Sequence, residues 1–156
     1  MKNVFFSTEE ITENDLLFLC YIVEKISRKL HQKNKYVVNR MGHRGLSEKM
    51  SLAGVLHSEN PEKVADELIR EYEMEQGTFD VMAVDDSLVK TIPTETQMGK
   101  VYKRLIIQTL QEGEDYAQGM LRVYNAPICE IIDNYNSSAY YEPSYVIAKA
   151  YQTGEF

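Results

Sequence analysis

Tryptophan is absent from this 156-residue chain, cysteine occurs only as Cys20 and Cys129, and there are four prolines. Two cysteines inside apolar helical patterns, with no second Cys or His at metal-ligand spacing, exclude a disulfide framework and a Cys/His zinc set. No apolar run approaches the roughly 20 residues needed to span a bilayer. The start, Met1-Lys2-Asn3-Val4-Phe5-Phe6-Ser7, runs into Glu9 and Glu10 without the charged, apolar and small-residue regions of a secretory signal, so a reducing cytoplasm is the expected location. Alternating β-branched runs are also missing, which leaves little from which to build a sheet.

What is present suits a globular helical protein. Hydrophobic residues make up 44 % and charged residues 26 % of the chain, well away from the composition of disordered chains. The net charge is −7, unevenly spread. From Lys25 to Lys49 stand eight basic residues (Lys25, Arg28, Lys29, Lys33, Lys35, Arg40, Arg44, Lys49) against the single acid Glu48, which gives +7 for that belt and −14 for the rest.

The apolar spacing predicts an all-α fold of six to eight short helices. Leu16, Leu19, Cys20, Val23, Ile26 and Leu30 fall on one helical face, with Thr12 and Asp15 as a capping box and an end near His31. A shorter helix follows from about Lys35, ended by Gly42 in the left-handed conformation. Gly45-Leu46-Ser47 reads as a turn, with Ser47 capping a third helix that carries Met50, Ala53 and Leu56. Asn60-Pro61 starts a fourth helix, with Val64, Ala65, Leu68, Ile69 and Tyr72 inward. Glu75 to Pro93 has no helical period. Thr94 and Gln97 form another capping box, ahead of Met98, Val101, Tyr102, Leu105 and Ile106. Further helices are expected from about Glu114, from Pro127 and from Pro143, the last ending before Gly154. This divides the chain into an N-terminal helical subdomain 1–75, a linker or tacked-down loop 76–93, and a C-terminal helical subdomain 94–156, if the helices do not form one bundle.

Chemistry-bearing patterns are scarce. His31, His43 and His57 lack the partners at helical spacing that a metal site needs, and Gly42-His43-Arg44-Gly45 has neither the strand nor the Lys-Ser/Thr of a phosphate loop. No serine stands in a nucleophile elbow, and Asp85-Asp86 and Glu9-Glu10 diverge by about 100° on a helix. The expectation is a protein without catalytic activity, metal or cofactor of its own. The composition instead favours contact surfaces. Seven of the eleven tyrosines lie from Tyr116 onward, and Tyr135, Tyr140 and Tyr141 sit among polar turn residues in the segment Asp133 to Pro143, a mixture frequent in protein-binding surfaces. Arg40, His43, Arg44 and His57 complete the candidate contact residues. The alternative is nucleic-acid binding by the 25–49 belt, with the helices from Lys35 and Ser47 as a helix-turn-helix. A third alternative is an enzyme whose site is assembled from distant residues.

The long first helix, the turn Gly42-His43-Arg44-Gly45-Leu46, the tripeptide Leu56-His57-Ser58 and Val64-Ala65-Asp66-Glu67 together resemble a small all-helical family of bacterial proteins encoded beside ADP-ribosyltransferase-like, toxin-type proteins. The resemblance runs from about Leu16 to Tyr72. It implies a cytosolic accessory or antitoxin-like protein that works by binding another protein, and it brings no catalytic residue with it; the tyrosine-rich segment and the basic belt equally suit a homo-oligomer.

Overall fold

A computed structural model describes residues 1–156, and the chain is all-helical. Eight α-helices follow in order: α1 (Glu13–Leu30), α2 (Asn34–Ser51), α3 (Ala53–Leu56), α4 (Pro61–Glu71), α5 (Glu95–Gln108), α6 (Tyr116–Tyr124), α7 (Ile128–Ile132) and α8 (Ser144–Thr153). Two single turns of 3-10 helix, Tyr135–Ser137 and Ala139–Tyr141, link α7 to α8. No sheet forms; a lone antiparallel bridge joins Lys2 to Glu10. No helix is long and apolar enough to cross a membrane.

Local chemistry sets most of the boundaries. Thr12 with Asp15, Thr94 with Gln97 and Asp115 with Gln118 are complete capping boxes, and the Asn60 side chain accepts from the Glu62 amide while Pro61 occupies the first helical position. The expected turn after Gly42 is different. Gly42 alone leaves helical geometry (φ 69°, ψ 177°), a conformation only glycine adopts without strain, and the helix resumes at once. Gly45, Leu46 and Ser47 are therefore helical and buried, and Ser47 caps nothing. A one-residue break also does not make a helix-turn-helix, which needs a turn of about three or four residues.

Helix α1 is central. It packs on α5, α2 and α4, while α2 packs on α6, and α5 on α6 and α8. At the α1–α5 crossing Gly99 lies so close that a Cβ there would stand 3.1 Å from the Tyr21 backbone nitrogen. One apolar cluster of 34 buried residues, with Leu16, Leu19, Ile22 and Ile26 from α1 and Met98, Tyr102, Leu105 and Ile106 from α5, draws on both halves of the chain. The segment after α4 lies on this core without regular structure. The Gly77 amide donates to the Leu30 carbonyl (2.7 Å) and that of Phe79 to the His31 carbonyl (2.9 Å), and Val89 is buried.

A polar network runs through the interior. Glu24, 2 % exposed, accepts from Arg28 Nε (3.2 Å), the Tyr135 hydroxyl (2.7 Å) and Asn34 Nδ2 (2.9 Å). Asn34 Nδ2 also reaches Asp133 Oδ2 (3.4 Å), and Asp133 Oδ1 accepts from the Tyr102 hydroxyl (2.5 Å). Arg28 Nη2 donates to the Pro93 carbonyl (2.7 Å) and the Tyr135 oxygen (3.0 Å). The network thus ties α1, the start of α2, the start of α5 and the α7–α8 connection together.

Burial, and after it the negative charge of Glu24, hold the Asp133 carboxyl well above the ordinary carboxylate range, against the opposing bonds from Tyr102 and Asn34. Unfolding returns it to about 3.9, so above that pH the native state binds more protons than the unfolded chain, and the contribution of Asp133 to stability falls as pH rises through its folded value. Urea melts at a series of pH values are expected to show that Asp133→Asn loses less stability than wild type as pH is raised from about 4. Parallel stability curves for the two proteins would count against this account.

Candidate functional site

The candidate site lies where the tyrosine-rich connection meets α5. Tyr135 is enclosed (1 % exposed) and anchors the connection through its hydroxyl on Glu24, which removes it from the contact residues expected from sequence. Tyr140 stands half-buried, edge-on to Tyr135 with ring centroids 5.4 Å apart. Tyr141 follows edge-on to Tyr140 at 6.2 Å and is 83 % exposed. A line of rings therefore leads from the buried carboxylate to the surface, and it holds an exposed aromatic on a fixed support.

Tyr140 and Tyr141 form one wall of a cavity of about 240 Å³, with Lys100 and Arg104 of α5 on the other wall and Leu105 and Ile147 among its apolar lining. Gln108 Nε2 donates to Ser144 Oγ (3.0 Å), which ties α5 to the first turn of α8, and Glu142 also lines the cavity. The space is below the roughly 300–1,000 Å³ of small-molecule sites and suits a single anchoring side chain. Lys100 and Arg104 form no hydrogen bond or ion pair with the rest of the chain; among the basic side chains only Lys2, Arg70 and Lys149 share that state. The sequence carries a signal for this pair, since neither residue has an acid three or four positions away on its helix.

The 25–49 belt, in contrast, is largely neutralised. Lys25 pairs with Glu62 (2.7 Å) and Glu95 (3.3 Å), Lys29 with Asp66, Lys33 and Lys35 with Glu130, Arg44 with Glu48 and Lys49 with Glu71, while Arg28 belongs to the interior network. Arg40 is exposed, but its guanidinium donates to the Tyr72 (3.1 Å) and Glu73 (2.6 Å) carbonyls at the end of α4. Most of these cations bridge neighbouring helices, whereas Arg44 pairs within α2.

The remaining expected residues do not converge on the groove. Arg44 is exposed beside Glu48, and His57 is exposed with its ring 5.3 Å from that of Phe18. His43 Nε2 meets Asp115 Oδ2 (2.8 Å), an arrangement seen in acid–base sites. Ser47, one turn further along α2, lines a second cavity together with His43 and Asp115, but its hydroxyl is buried without a hydrogen-bond partner, so no Ser–His contact forms. Cys20 and Cys129 are buried, and burial pushes the Cys20 thiol up to about 12, far from a reactive thiolate. No family model, curated protein or solved structure matches this chain.

Proposed function

We propose that the protein is a binding module without chemistry of its own, and that it seats an acidic segment of a protein partner in the groove between α5 and α8. One observation carries this reading: an exposed tyrosine, edge-on to Tyr140, faces two unpaired cations across a cleft lined half by apolar and half by polar residues, on a chain whose other basic side chains are mostly used internally. A partner residue with an apolar side chain would seat against Val101, Tyr140 and Tyr141, above the buried Leu105 and Ile147, and neighbouring carboxylates would meet Lys100 and Arg104. Aromatic and arginine side chains dominate interface energies when they are held in place, and opposite charge speeds encounter. The resemblance over Leu16 to Tyr72 adds an antitoxin-like or accessory role.

The test uses fluorescence anisotropy with a labelled peptide bearing one phenylalanine between pairs of glutamates. It is expected to bind the full chain at low salt, and Tyr141→Ala is expected to weaken binding by about 2 kcal/mol, roughly thirtyfold, without loss of helicity. Equal binding by Tyr141→Ala and wild type, or no binding at all, would remove the groove from the function.

A further inference from the structure

A second surface of the chain has the chemistry that the groove calls for. Residues 3–9 form a fixed turn next to the bridge between Lys2 and Glu10. Asn3, itself buried, donates from Nδ2 to the Ser51 carbonyl (2.8 Å), and its Oδ1 accepts from the amides of Phe5 and Phe6 (2.8 Å each). The Val4 amide donates to Ser51 Oγ (3.0 Å), and that of Glu9 to the Phe6 carbonyl (2.9 Å). This bonding orders the backbone and leaves the side chains outside, with Phe5 51 % and Phe6 46 % exposed. Glu9 and Glu10 stand exposed beside them; Glu9 has no ion pair, and the one ion pair of Glu10 is with the Met1 amino group at 3.6 Å. Two half-exposed phenylalanines on an ordered turn form an apolar tip with acids alongside.

We propose that the groove between α5 and α8 accepts the Phe5–Phe6 tip of a second copy of this chain. The proposal rests on the groove being the binding surface and adds the identity of its occupant. Complementarity is twofold: an aromatic side chain matches the apolar part of a cleft of about 240 Å³ (Val101, Tyr140, Tyr141), and Glu9 and Glu10 match the unpaired Lys100 and Arg104, which outnumber Glu142, the one acid of the lining. No residue of the tip lines the chain's own groove. Tip and groove are different patches, so the contact is head-to-tail. It leaves one tip and one groove open at the ends of each assembly, and growth continues with concentration unless a ring closes. A contact this small belongs with weak interfaces, those that bury less than about 1,200 Å².

Sedimentation velocity of the full chain tests this over about 10–500 μM, the range in which weak interfaces populate. Wild type is expected to pass from monomer to dimer and larger species. Phe5→Ser with Phe6→Ser, and separately Lys100→Glu with Arg104→Glu, are each expected to remain monomeric while keeping the wild-type circular dichroism spectrum. Mixed in equal amounts they are expected to form a dimer that grows no further, because the first retains a groove and the second a tip. Wild type that stays monomeric throughout, a variant that still associates alone, or a mixture that stays monomeric would each overturn the proposal. The peptide titration, repeated on the Phe5→Ser, Phe6→Ser variant, separates the two readings. Peptide binding together with monomeric wild type rejects the second copy and keeps the groove; absence of both rejects both.

Discussion

Glu24→Ala is expected to cost about 3–5 kcal/mol of unfolding free energy, the loss typical of removing one partner from a buried ion pair. The carboxylate is the acceptor for Arg28, Tyr135 and Asn34 at once, and none of the three has another carboxyl group to turn to except through the long 3.4 Å contact between Asn34 and Asp133. Arg28 is left with the Pro93 carbonyl and the Tyr135 oxygen for a full positive charge at an 11 % exposed site. Such a loss lowers the melting temperature of a chain this long by roughly 10 °C and consumes a large share of the 5–15 kcal/mol that ordinary proteins possess. Thermal melts check the size of the effect. A change below about 1 kcal/mol would show that the network relaxes around the gap, as surface pairs do. Because Tyr135 supports Tyr140 and Tyr141, the same substitution is expected to weaken peptide binding at the groove even at temperatures where the chain stays folded.

Arg122→Ala is the second large loss. Arg122 grips Glu114 with two bonds (Nε to Oε2, 2.8 Å; Nη2 to Oε1, 2.7 Å) and extends Nη1 to the Tyr151 hydroxyl (2.7 Å) and Thr109 Oγ1 (3.2 Å), which joins α6, the ends of α5 and α8, and the loop before α6. Two-pronged, charge-assisted bonds of this kind are the strong ones, and their removal at a mostly buried site costs about 2–3 kcal/mol. Hydrogen exchange is expected to show the amides of α8 losing protection first, since Tyr151 is its link to Arg122. The bond from Arg122 holds the Glu114 carboxyl below the usual carboxylate range. That part of the stability is present at neutral pH and disappears as pH falls through the depressed value, so the variant is expected to be less acid-sensitive than wild type. Uniform loss of protection across all helices would contradict a local role for the clamp.

The starts of α1, α4 and α5 were legible in the sequence because each is a local event. Thr12 with Asp15, Asn60 with Pro61 and Thr94 with Gln97 carry their own instructions within four residues, and Asp115 with Gln118 is a further box of the same form that starts α6 two residues beyond the expected Glu114. Gly42 was legible as a positive-φ residue but not as a break of one residue. The helical turns beyond Gly42 depend on Gly45 fitting against the Tyr72 ring and Ser47 turning inward, contacts with partners far along the chain. Composition marked the tyrosine-rich segment, yet Tyr135 and Tyr141 look alike in sequence and differ only because the Tyr135 hydroxyl finds Glu24, 111 positions away. The pairing of the belt was hidden for the same reason, since most of its acids come from α4, α5 and α7.

The meeting of α1 with α5 also has a consequence in time. Ribosomes extend chains at about 5–20 residues per second, so the roughly 80 residues between the end of α1 and the end of α5 take several seconds to emerge. Throughout that interval the stripe of Leu16, Leu19, Ile22 and Ile26 lacks the face that covers it, with α2, α3 and α4 arriving early enough to shield part of it. Part of this apolar stripe therefore stays open until α5 has emerged, and slow synthesis before residue 108 lengthens its exposure to aggregation.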